Sequence, residues 1–113
     1  RDAAATWDLA PDQSLDAETT TFTALVTRLD CNSGITGEVN EPEIEFTDSE
    51  VVITFTVSPR TRGDGDCQGN DQIRHEVDLP QALGDRALVD GQCAASEADG
   101  TEPCRPDGVR YTP

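Results

Sequence analysis

From Val51 to Val57 the chain places Val51, Ile53, Phe55 and Val57 on one face and Val52, Thr54 and Thr56 on the other. A side-chain period of two fits a half-buried strand and excludes the 3.6-residue repeat of an amphipathic helix. The same alternation recurs from Ile73 to Leu79, where Ile73, His75, Val77 and Leu79 oppose Arg74, Glu76 and Asp78. Between Glu43 and Thr47, Ile44 and Phe46 oppose the glutamates, and the turn Thr47-Asp48-Ser49-Glu50 links this run to Val51 as a predicted antiparallel hairpin. The β-branched run Thr19–Leu29 carries Phe22, Ala24 and Val26 on one face and Leu25 and Leu29 on the other, a strand buried on both faces near its end. A short final strand is expected at Val109–Thr112. Pro80–Gly91 is less periodic and is marked by turns at Gly84 and Gly91.

With no helical stripe anywhere, the expected fold is all-β: a small antiparallel β-sandwich of immunoglobulin-like size, although a barrel would give the same pattern. At 113 residues the chain has room for one domain. Residues 19–113 are expected to form it, ending in a disulfide-closed tail. Residues 1–18, rich in Ala and Asp, are expected to be an arm or tether in which Trp7 and Leu9 pack as a short edge strand.

Composition removes several function classes. The 8 cationic residues are all arginine and stand against 23 acidic ones, for a net charge of -15. Nucleic-acid binding draws its affinity from clustered cations, so no nucleic-acid partner is expected. Without lysine there is no Schiff base or Ser-Lys dyad, and with His75 as the one histidine no site needs two imidazoles. No run is apolar enough for a membrane span, and no transmembrane segment is expected. The absence of Met, an initiator included, leads to the expectation of a processed chain whose export signal lay upstream.

Cys31, Cys67, Cys93 and Cys104 form an even set with no C-x-x-C pair, which favours disulfides over zinc ligation or a redox centre and predicts an oxidising compartment. Three connectivities are open. The expected one pairs Cys31 with Cys67, joining turns that flank the strongest strands, and Cys93 with Cys104, closing a short tail loop.

Five segments in order carry a resemblance: Cys31-Asn32-Ser33-Gly34, Pro42 ahead of the paired strands, Cys67-Gln68-Gly69-Asn70, Val77-Asp78-Leu79, and Leu83-Gly84-Asp85-Arg86-Ala87-Leu88-Val89-Asp90-Gly91. Over roughly Phe22 to Gly91 the chain resembles a group of small exported proteins and lipoproteins of actinobacteria with the pattern C-x-S-G, C-x-G-N and L-G-x-R-x-L-x-D-G. The resemblance implies an exported β domain, free or as a lipoprotein head, with a Cys31–Cys67 bond; it implies no activity. Asp71 stands where that group often has proline, and the Cys93–Cys104 tail looks like an addition.

The candidate sites centre on Arg60–Asp71. Asp64, Asp66 and Asp71 with nearby carbonyls could ligate Ca²⁺, but the spacing fails as an EF-hand, with Gln68 and His75 at ligand positions. A metal-free acidic surface turn is the preferred reading, and no cofactor is expected. Arg62-Gly63-Asp64 spells an integrin-type tripeptide that recurs by chance. Arg60 or Arg62 on a disulfide-braced loop would suit the primary specificity residue of a small serine-protease inhibitor, the alternative function. Arg105 suits it less because Pro106 follows. Catalysis would rest on carboxylate pairs, with few aromatic residues to build a platform. Ser33, Ser49 and Ser58 lie in turns without a nucleophile elbow, and no catalytic residue is assigned. His75 is expected at the core edge, and Arg86 is expected to pair with Asp85, Asp90 or another acid and pin its turn. The expected function is a non-enzymatic interaction domain at the cell surface or outside the cell, its partner being another protein.

Overall fold

The computed structural model describes residues 2–60, 66–95, 102–104 and 108–113. Seven strands dominate them: β1 Ala3–Leu9, β2 Thr21–Arg28, β3 Glu43–Phe46, β4 Glu50–Val57, β5 Ile73–Asp78, β6 Ala87–Asp90 and β7 Val109–Tyr111. A four-residue helix, α1 (Gln92–Ala95), and a 3₁₀ turn at Glu102–Cys104 lie between β6 and β7. The strands form one sheet in the order β5-β2-β1-β4-β6-β7, with β3 also paired to β4. The hairpin expected from Glu43 to Val57 is present, with Ile44 opposite Ile53 and Phe46 opposite Val51.

Two features depart from the expectations. The sheet is mixed: β4 and β6 run parallel, with Val51 opposite Leu88 and Ile53 opposite Asp90, where purely antiparallel pairing was expected. A strand of four residues is too short to declare its partner by periodicity, so the pairing of β6 is a tertiary outcome. Within the stretch expected as an arm, Ala3–Leu9 forms an interior strand, paired with β2 through Trp7 opposite Val26 and with β4 through Ala5 opposite Phe55. Its alternation, Ala3, Ala5, Trp7 and Leu9 against Ala4, Thr6 and Asp8, is masked by alanine, which carries little strand preference.

β4 organises the sheet. One edge meets β3 and then the chain around Val39, which bridges Val57. The other edge is divided, residues 50–53 pairing with β6 and residues 55–57 with β1. At the changeover the Ile53 carbonyl accepts both the Gly91 amide at 3.0 Å and the Trp7 indole N–H at 2.9 Å. The inner faces enclose one core containing Ala5, Trp7, Phe22, Val26, Ile53, Phe55, Val77 and Leu88. Phe55 of β4 meets His75 of β5 at 5.4 Å between ring centroids, although β1 and β2 lie between those strands in the sheet. Neighbouring strands are about 4.8 Å apart, so this contact requires the sheet to curl over its own core.

Both expected disulfides are present, Cys31–Cys67 and Cys93–Cys104. They point to an oxidising environment outside the cytosol. No helix among the described residues is long and apolar enough to cross a membrane.

Candidate interaction loop and cleft

At one end of the sheet the loop following β2 is knitted to the segment before β5. Arg28, at the end of β2, continues the inward face of Phe22, Ala24 and Val26, and its side chain is 1% exposed. It donates from Nε to the Thr36 carbonyl at 3.1 Å, from Nη1 to Asp30 at 3.2 Å and from Nη2 to the Ser58 carbonyl. A guanidinium can be buried there because its donors meet carbonyls and a carboxylate. Thr36, fully buried, donates its amide to Asp71 Oδ1 at 2.8 Å and its hydroxyl to the Asp71 carbonyl. The Asn70 amide group donates to the carbonyls of Arg28 and Asp30, and Ser33 exchanges hydrogen bonds with the Asp66 backbone.

The loop residues of the quoted motif are therefore builders of the loop. Ser33 has φ 56° and Gly34 φ 88°, successive left-handed positions that turn the chain sharply; only glycine adopts this conformation without strain. Asn32 donates to the Ile35 carbonyl at 2.8 Å. Ile35 is held outward at the tip with 59% exposure, the one large apolar side chain so exposed among the described residues. Sequence reasoning treated this segment as a turn and passed over Ile35; the usable signal was an isoleucine inside a polar, cysteine-anchored turn.

The other candidates fall as follows. Arg60 lies beside the loop with Nη1 donating to the Cys31 carbonyl at 2.7 Å and Nε 3.9 Å from Asp30. Arg62, Gly63 and Asp64 lie outside the described residues, as does Arg105. Of the calcium candidates, Asp71 has Oδ1 committed to Thr36 and Asp66 is exposed. Among the described residues no group of three or more His, Cys, Asp or Glu is gathered as for a metal ion. His75 sits at the core edge as expected, 18% exposed and 3.6 Å from Glu41. Arg86 pins its turn by other means than the expected ion pair: it donates to the carbonyls of Thr47 and Leu83 and stacks 5.0 Å from the centroid of Phe46. At Gly91, the end of the same motif, a Cβ would lie 1.9 Å from Thr54 Oγ1 and 3.0 Å from a Val52 methyl, so the side chains of β4 occupy the space that any larger residue would need.

The acid expected as one partner for Arg86 is instead the centre of a buried node. Asp90, 0% exposed, accepts the Trp7 amide on Oδ2 at 2.8 Å and the Gln92 amide on Oδ1 at 3.0 Å, and meets Arg110 Nη2 at 3.3 Å. Burial pushes its carboxyl above the usual range, and those three donors hold the shift back.

Between the two disulfides lies a cleft of about 430 Å³. Its apolar lining includes Leu25, Leu29 and Pro103, and its charged lining Asp8, Asp30, Arg28 and Arg110. Leu29 also packs against the Cys93–Cys104 bridge, which fixes one wall. Comparison with protein-family models, with curated proteins and with solved structures gives no match.

Proposed function

We propose that the protein is an exported, non-enzymatic interaction domain working at the cell surface or outside the cell. It uses the loop between Cys31 and Gly37 to seat Ile35 in a partner protein. The observation that carries this reading is the 59% exposure of Ile35 on a loop fixed by a disulfide. A pre-ordered loop loses little conformational entropy on binding, and a single apolar anchor entering a pocket commonly dominates an interface. The curled sheet behind it is read as a small immunoglobulin-like sandwich, a reading supported by the contact of Phe55 with His75 across the core.

The test is capture from the exterior of producing cells with wild type and with Ile35→Asp. A partner retained stoichiometrically by wild type and lost by the variant, at equal melting temperature, supports the proposal. Equal capture by both proteins overturns it.

The alternative is a serine-protease inhibitor presenting Arg60 or Arg62. A primary specificity side chain must extend into the protease pocket, whereas the Arg60 guanidinium is bonded to the Cys31 carbonyl of the neighbouring loop. This weighs against Arg60 and leaves the alternative to Arg62. Titration of trypsin and subtilisin decides it, tight stoichiometric inhibition replacing the first reading.

A further inference from the structure

β5 is the outermost strand of the sheet, with β2 on one side and, among the described residues, no strand on the other. The Leu79 amide donates to the Thr20 carbonyl at 2.7 Å, which extends the β2–β5 register by one hydrogen-bonded pair. Such pairs alternate along an antiparallel ladder, so Ile73, His75 and Val77 spend their amides and carbonyls on β2. Arg74, Glu76 and Asp78 turn theirs outward, and among the described residues nothing bonds the backbone of Arg74 or Glu76 on that side. Glu41 approaches the His75 ring at 3.6 Å, a side-chain contact that leaves this backbone free. An open edge is a template for another strand unless proline, a bulge or charge blocks it. β5 has no proline and an unbroken register with β2, so charge decides what it can pair with.

We propose that β5 pairs antiparallel with β5 of a second copy, Arg74 opposite Glu76, in a weak two-fold dimer. Outward-facing residues must oppose one another for their backbones to bond, which limits the registers. Arg74 opposite Arg74 sets like charges together, Arg74 opposite Asp78 brings Glu76 against Glu76, and a further slip sets Glu76 against Asp78. Arg74 opposite Glu76 makes two identical opposite-charge pairs, with Ile73 opposite Val77 on the other face and His75 opposite itself on the axis. Arg74 and Glu76 are both exposed, and among the described residues neither has an ion pair or side-chain hydrogen bond of its own. Their neighbours on β2, Leu25 and Thr23, carry no charge. The other two edges do not offer this match: β3 presents Glu43 and Glu45, both exposed, and β7 has three residues. One strand from each copy is a small contact, which suits a transient dimer rather than a permanent one.

The test is sedimentation equilibrium of the whole protein in about 0.15 M salt, where charges more than about 8 Å apart are largely screened. Wild type is expected to show a monomer–dimer equilibrium by about 1 mM, with the amide signals of Arg74 and Glu76 shifting with concentration. Arg74→Glu and Glu76→Arg, each at an exposed position, should keep the wild-type melting temperature. Each alone should dimerise about tenfold or more weaker, because both pairs become like-charged. Mixed in equal amounts they should associate as strongly as wild type, since the mixed pair carries the same total charge and regains both opposite-charge contacts. Glu76→Arg makes the chain less negative, so stronger self-association of that variant would assign the effect to general repulsion and overturn the proposal. A wild type that stays monomeric to about 1 mM, or a mixture no stronger than its components, overturns it as well.

Discussion

Asp90 and Arg110 form an enclosed ion pair, 3.3 Å apart with side chains 0% and 4% exposed, at the point where β4 exchanges one neighbouring strand for another. β6 and β1 both end their pairing with β4 there, and the Asp90 carboxylate joins them by accepting the amides of Trp7 and Gln92. Asp90→Asn keeps the shape but turns an amide donor toward one of those N–H groups, so that a buried donor is left without its acceptor. The expected loss is about 1–3 kcal/mol, the cost of an unsatisfied buried donor, measured by urea unfolding.

The same carboxyl sets a pH dependence. Burial raises its folded-state pKa above the ordinary 3.8. A raised value means that the group's stabilising contribution is complete below the unfolded pKa and is lost as pH rises through the folded one. Self-repulsion at a net charge of -15 acts in the same direction. The melting temperature is expected to climb on acidification from neutral toward the carboxylate range. Salt should reduce the repulsive part of that slope and leave the Asp90 part, which Asp90→Asn removes.

Replacing Cys93 and Cys104 together by alanine should cost about 3 kcal/mol, and replacing Cys31 and Cys67 about 4 kcal/mol, because the second pair closes the longer loop in the unfolded chain. The readouts should separate the two. Loss of Cys31–Cys67 should raise proteolysis around Ile35, whereas loss of Cys93–Cys104 should shift the amide signals of Leu29, which packs on that bridge.

Arg86→Ala is expected to cost about 1–2 kcal/mol by removing two hydrogen bonds to the carbonyls of Thr47 and Leu83 and the stacking on Phe46. Arg86→Lys should recover little of this, since an ammonium cannot supply a planar fork that bonds and stacks at once. Thermal unfolding of the three proteins orders them.

Calcium should leave the melting temperature where a chelator leaves it. A ligand held only by the native state must raise apparent stability, and Asp71, one of the three acids considered, already has Oδ1 bonded to the Thr36 amide. A rise in the midpoint on adding Ca²⁺ would restore the metal reading of the Asp64–Asp71 segment.

Strands β2, β3, β4 and β5 were legible because Phe22, Ile44, Ile53 and Val77 belong to runs of strict alternation. β1 was hidden by its alanines, and the parallel pairing of β6 has no local signature. The same divide runs through the site. The cysteine pairing was readable, yet nothing in the local sequence marks Arg28, Thr36 and Asp71 as mutual partners before the loops meet. Their bonds span up to 35 positions, and only folding brings such groups within reach.

Local periodicity acts within one strand, so the sequence by itself determined a disulfide-braced β chain whose acids lie on outer faces and whose apolar residues point inward. Which strands became neighbours depended on how their inner faces packed together. Tertiary structure alone decided that Trp7 would lie inside, that Asp90 would be buried between two strands, that Ile35 would be turned outward and that Asp8 and Arg110 would line one cleft. Contacts among distant segments fix these outcomes, and no short window of residues contains them.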